Sequence, residues 1–149
     1  WEYVRDASRL AHDKGLKNVM VTNGTASTDV LEKLLPNIDA MNIDLKGFTE
    51  DFYRYVGGDL EMVKAFIERA VRGCHVEVTT LIVPGKNDSD GEMEQLSAWL
   101  GSIRRGIPLH VTRCFPRYHF YAAPTPVETV YHLAEVARRN LTNVFTGNC

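Results

Sequence analysis

The chain has 149 residues, 44% of them hydrophobic, which fits one globular domain with a sizeable core. Its 17 basic and 19 acidic residues leave a net charge of −2 with no basic stripe, which argues against nucleic acid as a partner. The apolar runs are strand-sized, far short of the roughly 20 residues a membrane helix needs, and no signal-peptide pattern opens the chain.

Taken in chain order, Trp1, Val4, Ala7, Leu10 and Ala11 recur at helical spacing, with Gly15 as a stop. Asn18 to Thr22 is a short β run ending in the turn Asn23-Gly24. Val30, Leu31, Leu34 and Leu35 share a helical face, capped by Ser27 or Thr28 and ended by Pro36. A strand follows over about residues 40 to 46. Thr49 to Phe52 begins a short helix broken at Gly57-Gly58, and Leu60, Val63, Phe66, Ile67, Ala70 and Val71 make a strong amphipathic helix. His75 to Val83 is the clearest strand, closed by Pro84-Gly85. Asp88 or Ser89 caps a helix built on Met93, Leu96, Leu100 and Ile103. Pro108 to Cys114 is a strand, followed by an aromatic, proline-punctuated loop from Phe115 to Pro124. Thr125 as cap and Pro126 as first helical residue start a helix using Val127, Val130, Leu133, Ala134 and Ala137. Asn143 to Thr146 is the last strand. The order α-β-α-β-α-α-β-α-β-α-β calls for a parallel sheet with helices packed on it, in one domain.

The strand faces choose the architecture. Central strands of an open doubly wound sheet are apolar on both faces. Here Asn42, Asp44 and Lys46 alternate with Met41, Ile43 and Leu45; Glu77 and Thr79 alternate with Val76 and Val78; His110 and Thr112 alternate with Leu109 and Val111. Polar residues inward and apolar residues outward describe a barrel with an occupied interior. Barrel sites lie at the carboxyl ends of the strands, where Thr22, Asn23, Asp44, Lys46, Leu81 and His119 fall. Five strands do not close an eight-stranded barrel, so the expectation is a partial (βα) barrel. The chain starts at Trp1 within an amphipathic pattern and stops at Cys149 directly after a strand-like run, so a piece of a longer protein is expected.

Asp44 and Lys46 place an acid and a base in one space. They form either an internal ion pair or a grip for a ligand's own charges, since a buried pair is weak evidence for stability. Lys46 is also a candidate Schiff-base amine if burial lowers its pKa. The three cysteines make no disulfide framework and no metal-ligand spacing, so a reducing cytoplasm is expected. Three glycosylation sequons, one of them at Asn87, read as chance matches.

In order, Val21-Thr-Asn-Gly24, Asn42-Ile-Asp-Leu-Lys-Gly47, Val78 to Gly85 and Phe115-Pro-Arg-Tyr-His119 resemble the radical S-adenosylmethionine (SAM) enzymes of the pyruvate formate-lyase activating type. Glu77-Val-Thr-Thr80, Pro124-Thr-Pro126 and Thr146-Gly-Asn148 look like the AmmeMemoRadiSam subgroup. The resemblance covers essentially the whole chain. It implies a partial barrel that binds SAM beside a [4Fe-4S] cluster and cleaves it reductively to a 5′-deoxyadenosyl radical. It places Thr22 and Asn23 where a strand end meets SAM, Asp44 on the methionyl amino group and Lys46 on its carboxylate. Leu81 would flank the adenine, and His119 would lie near the methionine. Two departures stand out: Val21 replaces an aspartate, and Thr79 replaces an arginine that donates to SAM. The CxxxCxxC motif that supplies the cluster ligands is absent. The isolated chain is therefore expected to build no cluster, to bind SAM weakly or not at all, and to contribute no catalytic or metal-ligating residue of its own. A protein substrate and a homodimer through open sheet edges are further expectations. The rivals are a Schiff-base aldolase-type barrel using Lys46 and a non-catalytic interaction module.

Overall fold

The computed structural model describes residues 1–149. The elements are α1 (Glu2–His12), β1 (Val19–Thr22), α2 (Thr28–Leu34), β2 (Ala40–Asp44), α3 (Glu50–Tyr55), α4 (Leu60–Ala70), β3 (His75–Ile82), α5 (Asp90–Arg104), β4 (Leu109–Arg113), α6 (Val127–Ala137) and β5 (Val144–Gly147). Every predicted element is present in the predicted order. Pro36 does not end α2 outright; it sits in a 3-10 turn, Leu35–Asn37, that tightens the helix end. No helix is long and apolar enough to cross a membrane.

Four helices start on side-chain caps. The oxygens of Ser27, Thr49, Asp59 and Ser89 accept from the backbone N–H of Val30, Phe52, Met62 and Glu92. Each such cap is worth about 1 kcal/mol. Ser27 rather than Thr28, and Ser89 rather than Asp88, does the capping. Asp88 instead accepts from Gly85 N–H, closing the turn after β3.

The five strands are all parallel and lie in sequence order, β1-β2-β3-β4-β5. An open doubly wound sheet reverses its strand order at a switch point. A sheet that never reverses, with right-handed crossovers, carries all its helices on one face. This is the partial (βα) barrel. Burial agrees: Met41, Ile43, Leu45, Val76, Val78, Ile82, Leu109 and Val111 are buried on the helix side. Asn42, Asp44, Glu77, Thr79, His110 and Thr112 on the other face are only partly covered. Thr80 is the polar exception on the buried face, and its hydroxyl is satisfied by donating to Leu45 O at 2.9 Å. The helices answer with their own apolar stripes: Leu60, Val63, Phe66 and Ile67 of α4, Leu96 and Leu100 of α5, and Val130, Leu133 and Ala137 of α6.

Helix α1 is different. Trp1 at its N-cap and its apolar residues Val4 and Leu10 are exposed, and Ser8 is the one residue of the helix that is buried. The helix is tied to the body by the Asn18 side chain, whose amide donates to Ser8 O and Asn37 O at 2.8 Å each.

Thr125 does not cap α6. The helix starts on Pro126 with no side-chain cap, and the Thr125 hydroxyl turns into the core. It donates to Ile82 O at 2.5 Å and accepts from Cys114 N–H at 3.2 Å, while Thr125 N–H donates to Cys114 O at 3.0 Å. Both ends of the loop 115–124 are thereby pinned to the carboxyl ends of β3 and β4. Thr125→Val keeps the shape but strands two buried backbone groups, at a cost of about 1–3 kcal/mol for each group left unpaired. Urea unfolding should show that loss, with Thr125→Ser close to wild type; a Val variant as stable as wild type would refute the pinning role.

Candidate functional site

The carboxyl ends of β1, β2 and β3 carry the predicted residues. After β1, Thr22 Oγ1 accepts from Gly24 N–H and Asn23 Oδ1 accepts from Thr25 N–H, both at 3.1 Å, so the turn closes on itself. Gly24 has φ +69°, and a Cβ there would stand 3.2 Å from Val63 and 3.3 Å from Ile43. Only glycine suits that backbone and that approach. The turn is thus pressed against β2 and α4, with the Asn23 side chain outward.

Strand β2 ends at Asp44, two residues before the predicted limit. The chain from Leu45 to Phe48 then leaves the sheet, and buried side chains from four separate segments hold it. Leu45 N–H donates to Thr79 O, and Leu45 O receives the Thr80 hydroxyl. Lys46 N–H donates to the Tyr53 hydroxyl of α3 at 3.1 Å. Lys46 O receives Asn87 Nδ2 at 2.6 Å, and Phe48 N–H donates to Glu92 Oε1 of α5 at 2.6 Å. Gly47 is required between them, because a Cβ would lie 2.6 Å from Phe52 and 2.8 Å from Glu92 Oε1.

Asn87 does more than hold Lys46. Its Nδ2 also donates to Leu81 O at 2.9 Å, and its Oδ1 accepts from Val83 N–H at 2.7 Å. It is 2% exposed, which removes it as a glycosylation site. One amide therefore ties the end of β2 to the end of β3.

On this frame the Lys46 side chain folds back, and its Nζ lies 2.6 Å from Asp44 Oδ2. The pair is not buried: Lys46 and Asp44 side chains are 38% and 32% exposed. An ion pair this open adds under about 1 kcal/mol to stability. Its charges are available to a ligand at little cost. Lys46 and Asn23 share a cleft of about 130 Å³ with Tyr53 and Gly58. A wider groove of about 340 Å³ lies beyond Tyr53, bordered by Glu50, Arg54, Asp59 and Glu61, and holds none of the predicted residues. Thr79 pairs across β2 with Asp44, and its hydroxyl donates to Asn42 Oδ1 at 2.8 Å. Leu81 faces the polar side of the sheet with its carbonyl already taken by Asn87. His119 stands apart, exposed in the loop after β4, edge-on to Tyr118 and 3.5 Å from the Tyr121 hydroxyl. The structure thus gathers Asn23, Asp44, Lys46 and Thr79, sets Thr22 and Leu81 at their margin, and leaves His119 outside.

Tyr53, Asn87 and Glu92 were not recognised in the sequence as part of this site. Tyr53 sits in an aromatic run that looks like core, and Asn87 shows only a sequon and a turn. Glu92 was readable as the acidic residue three positions after the Ser89 cap, but it serves Phe48 instead of the cap. Burial pushes the Tyr53 phenol up to about 12; the Lys46 N–H works against that rise and the Asp44 charge adds to it. It stays a neutral hydroxyl that accepts from Lys46.

Similarity to known proteins converges on the same class. The fold is a partial (βα) barrel with charged groups at its strand ends, and residues 1–100 match the family model described as the Radical SAM superfamily. The chain belongs to that superfamily. An uncharacterized protein of Methanocaldococcus jannaschii is 39% identical over 99% of the chain, and the chain spans 45% of that relative's length. A domain of a pyruvate-formate lyase-activating enzyme from Bacteroides vulgatus superposes with a TM-score of 0.83 at 15% identity, covering 99% of this chain and 91% of that one. A structure of TYW1 with a lysine-pyruvate adduct bound gives 0.69 at 20% identity, covering 93% of this chain and 46% of that one. At these identities the two structures establish the fold.

Burial pushes the Glu92 carboxyl up, against the Phe48 N–H, which lowers it; Asp88 adds to the rise. A raised folded-state value means stability that is full below the unfolded value of 4.5 and lost as pH rises through the folded one. Glu92→Gln keeps an acceptor for Phe48 without the charge. Its stability relative to wild type should therefore increase from pH 4.5 upward, read as urea midpoints. A gap that stays constant with pH would contradict the assignment.

Proposed function

We propose that the carboxyl-end face of this sheet is the methionyl and adenine grip of a SAM site in a radical SAM enzyme. The observation that carries the reading is the Asp44–Lys46 pair: opposite charges 2.6 Å apart, half-exposed, on a backbone fixed by buried hydrogen bonds. The methionyl end of SAM carries an ammonium and a carboxylate on one carbon. Asp44 accepts from the ammonium and Lys46 donates to the carboxylate, so one exposed ion pair opens into two charge-assisted hydrogen bonds. Asn23 borders the cleft beside Lys46 and Thr22 supports its turn. Thr79, committed to Asn42, lines the site. With its carbonyl occupied, Leu81 offers its side chain as an apolar wall for adenine. His119, which the family resemblance sets near the methionine, stands apart from this cluster in the loop after β4, and the reading gives it no contact.

SAM supplies, on reductive cleavage, the 5′-deoxyadenosyl radical that abstracts hydrogen from a substrate. The residues present do not fit a [4Fe-4S] cluster. Cys74 follows α4, Cys114 follows β4 and Cys149 ends the chain, and no three His, Cys, Asp or Glu side chains converge to hold a metal ion. The reading therefore concerns SAM recognition, and no step is drawn through the cluster.

A Schiff-base role for Lys46 finds less support. The TYW1 structure holds a lysine-pyruvate adduct. Here the Lys46 ammonium is paired with Asp44 and partly solvated, not the desolvated amine that carbonyl attack requires.

SAM titrated into the ¹⁵N-labelled chain should shift the amide signals of Asn23, Asp44, Lys46 and Gly47. Lys46→Ala should weaken that binding about tenfold or more, since a charged hydrogen bond carries about 1.5–3 kcal/mol. Shifts that avoid these residues, or an affinity indifferent to Lys46, would defeat the proposal.

A further inference from the structure

The polar face holds a second constellation, nearer the amino ends of β3 and β4. Glu77 stands between two imidazoles: His110 Nε2 lies 2.7 Å from Oε2 and His75 Nε2 lies 3.2 Å from Oε1. The His110 ring is also stacked on Phe145 of β5, with centroids 5.4 Å apart and planes at 25°. One ring is thus restrained twice, by a carboxylate at one nitrogen and by an aromatic ring on its face. The carboxylate is itself restrained at both oxygens. With Nε2–H donating to Glu77, the Nδ1 lone pair of His110 is left open, because no hydrogen bond reaches that atom.

Packing does not account for this arrangement. The side chains of His110 and Glu77 are 30% and 37% exposed, on the face that no helix covers. Exposed pairs contribute under about 1 kcal/mol. The surrounding groups on this face are polar or aromatic: Asn42 and Asp44 on β2, His75 and Thr79 on β3, Thr112 on β4 and Phe145 on β5. The Thr79 hydroxyl fixes the Asn42 carbonyl oxygen, which leaves the Asn42 NH₂ as a free donor beside Glu77. The hydrogen bonds from His110 and His75 hold the Glu77 carboxyl below its ordinary value, so it remains an anion.

We propose that His110, oriented by Glu77, is the proton-transfer group for a second ligand on the open face, a small molecule bearing a hydroxyl or amino group next to an apolar or planar part. The apolar part lies against Phe145 and the Asn42 amide donates to a ligand acceptor. His110 Nδ1 takes the proton from the ligand O–H or N–H. The electron pair of that bond stays on the ligand heteroatom, and the imidazolium is held by Glu77 until the proton returns. This is a carboxylate-oriented imidazole working as general base. It rests on the open face being the ligand side, as in the SAM reading, but the test below does not depend on SAM binding.

The probe is diethyl pyrocarbonate, which acylates a neutral imidazole nitrogen. Rates at each histidine of the full chain are read by peptide mass spectrometry. His110 should react faster than the more exposed His75 and His132, and Glu77→Gln should slow it by about tenfold, because the glutamine no longer fixes the tautomer. Circular dichroism establishes that the variant is folded. If it is not, the nitrogen chemical shifts of His110 in the wild-type chain decide: a protonated Nε2 and a bare Nδ1 support the proposal, and the opposite tautomer overturns it. A His110 no faster than the other histidines, or unaffected by Glu77→Gln, also overturns it. So does protection of His110 by saturating SAM, which would assign the ring to the SAM grip.

Discussion

The proposed ligand side of this molecule depends on how the backbone from Leu45 to Phe48 leaves the sheet. A strand that ends inside a fold must find partners for its N–H and C=O groups, since each one left dry and unpaired costs about 1–3 kcal/mol. Here the partners are side chains: Thr80, Tyr53, Asn87 and Glu92, all buried. They come from β3, α3, the turn after β3 and α5; Tyr53 is 7 residues from its partner and the other three are 35 to 44 residues from theirs, yet all agree on one short path. That agreement aims Lys46 back at Asp44. A flexible turn of the same composition would let the lysine stay in solvent.

The same physics explains why the sheet has two unlike faces. Sequential parallel strands put every helix on one side, and only that side is sealed. Residues on the other side are free to be polar, and they are: an amide, two carboxylates, two imidazoles, an ammonium and hydroxyls. The charges are not left bare. Asp44 is matched by Lys46 and Glu77 by two histidines, which keeps a half-open polar surface from repelling itself.

Much of the fold is legible in the sequence because period-two alternation in Met41–Lys46, His75–Ile82 and Leu109–Thr112 is strong and the helices carry clear apolar stripes. The strand faces even select the barrel over the doubly wound sheet. Asp44 and Lys46 are legible for the same reason, since two residues on a strand must share a face. Asn87, Tyr53 and Glu92 are not, because their side chains act on backbone 4 to 44 positions away and no local period marks such hydrogen bonds. Thr125 misleads in a related way: a threonine before proline and a helix looks like a cap, yet its hydroxyl is claimed by Ile82 and Cys114. Glu77 and His110 were readable as lining residues, but their pairing needs the register between β3 and β4.

That clamp at Thr125 has a further consequence. It closes the base of the 115–124 loop with bonds that involve none of the loop's own side chains. Tyr118 and Tyr121 project almost fully into solvent, and the sheet owes them nothing. The segment is in effect a cassette on a fixed base: exchange of its outermost side chains, Tyr118 and Tyr121, leaves the barrel beneath in shape.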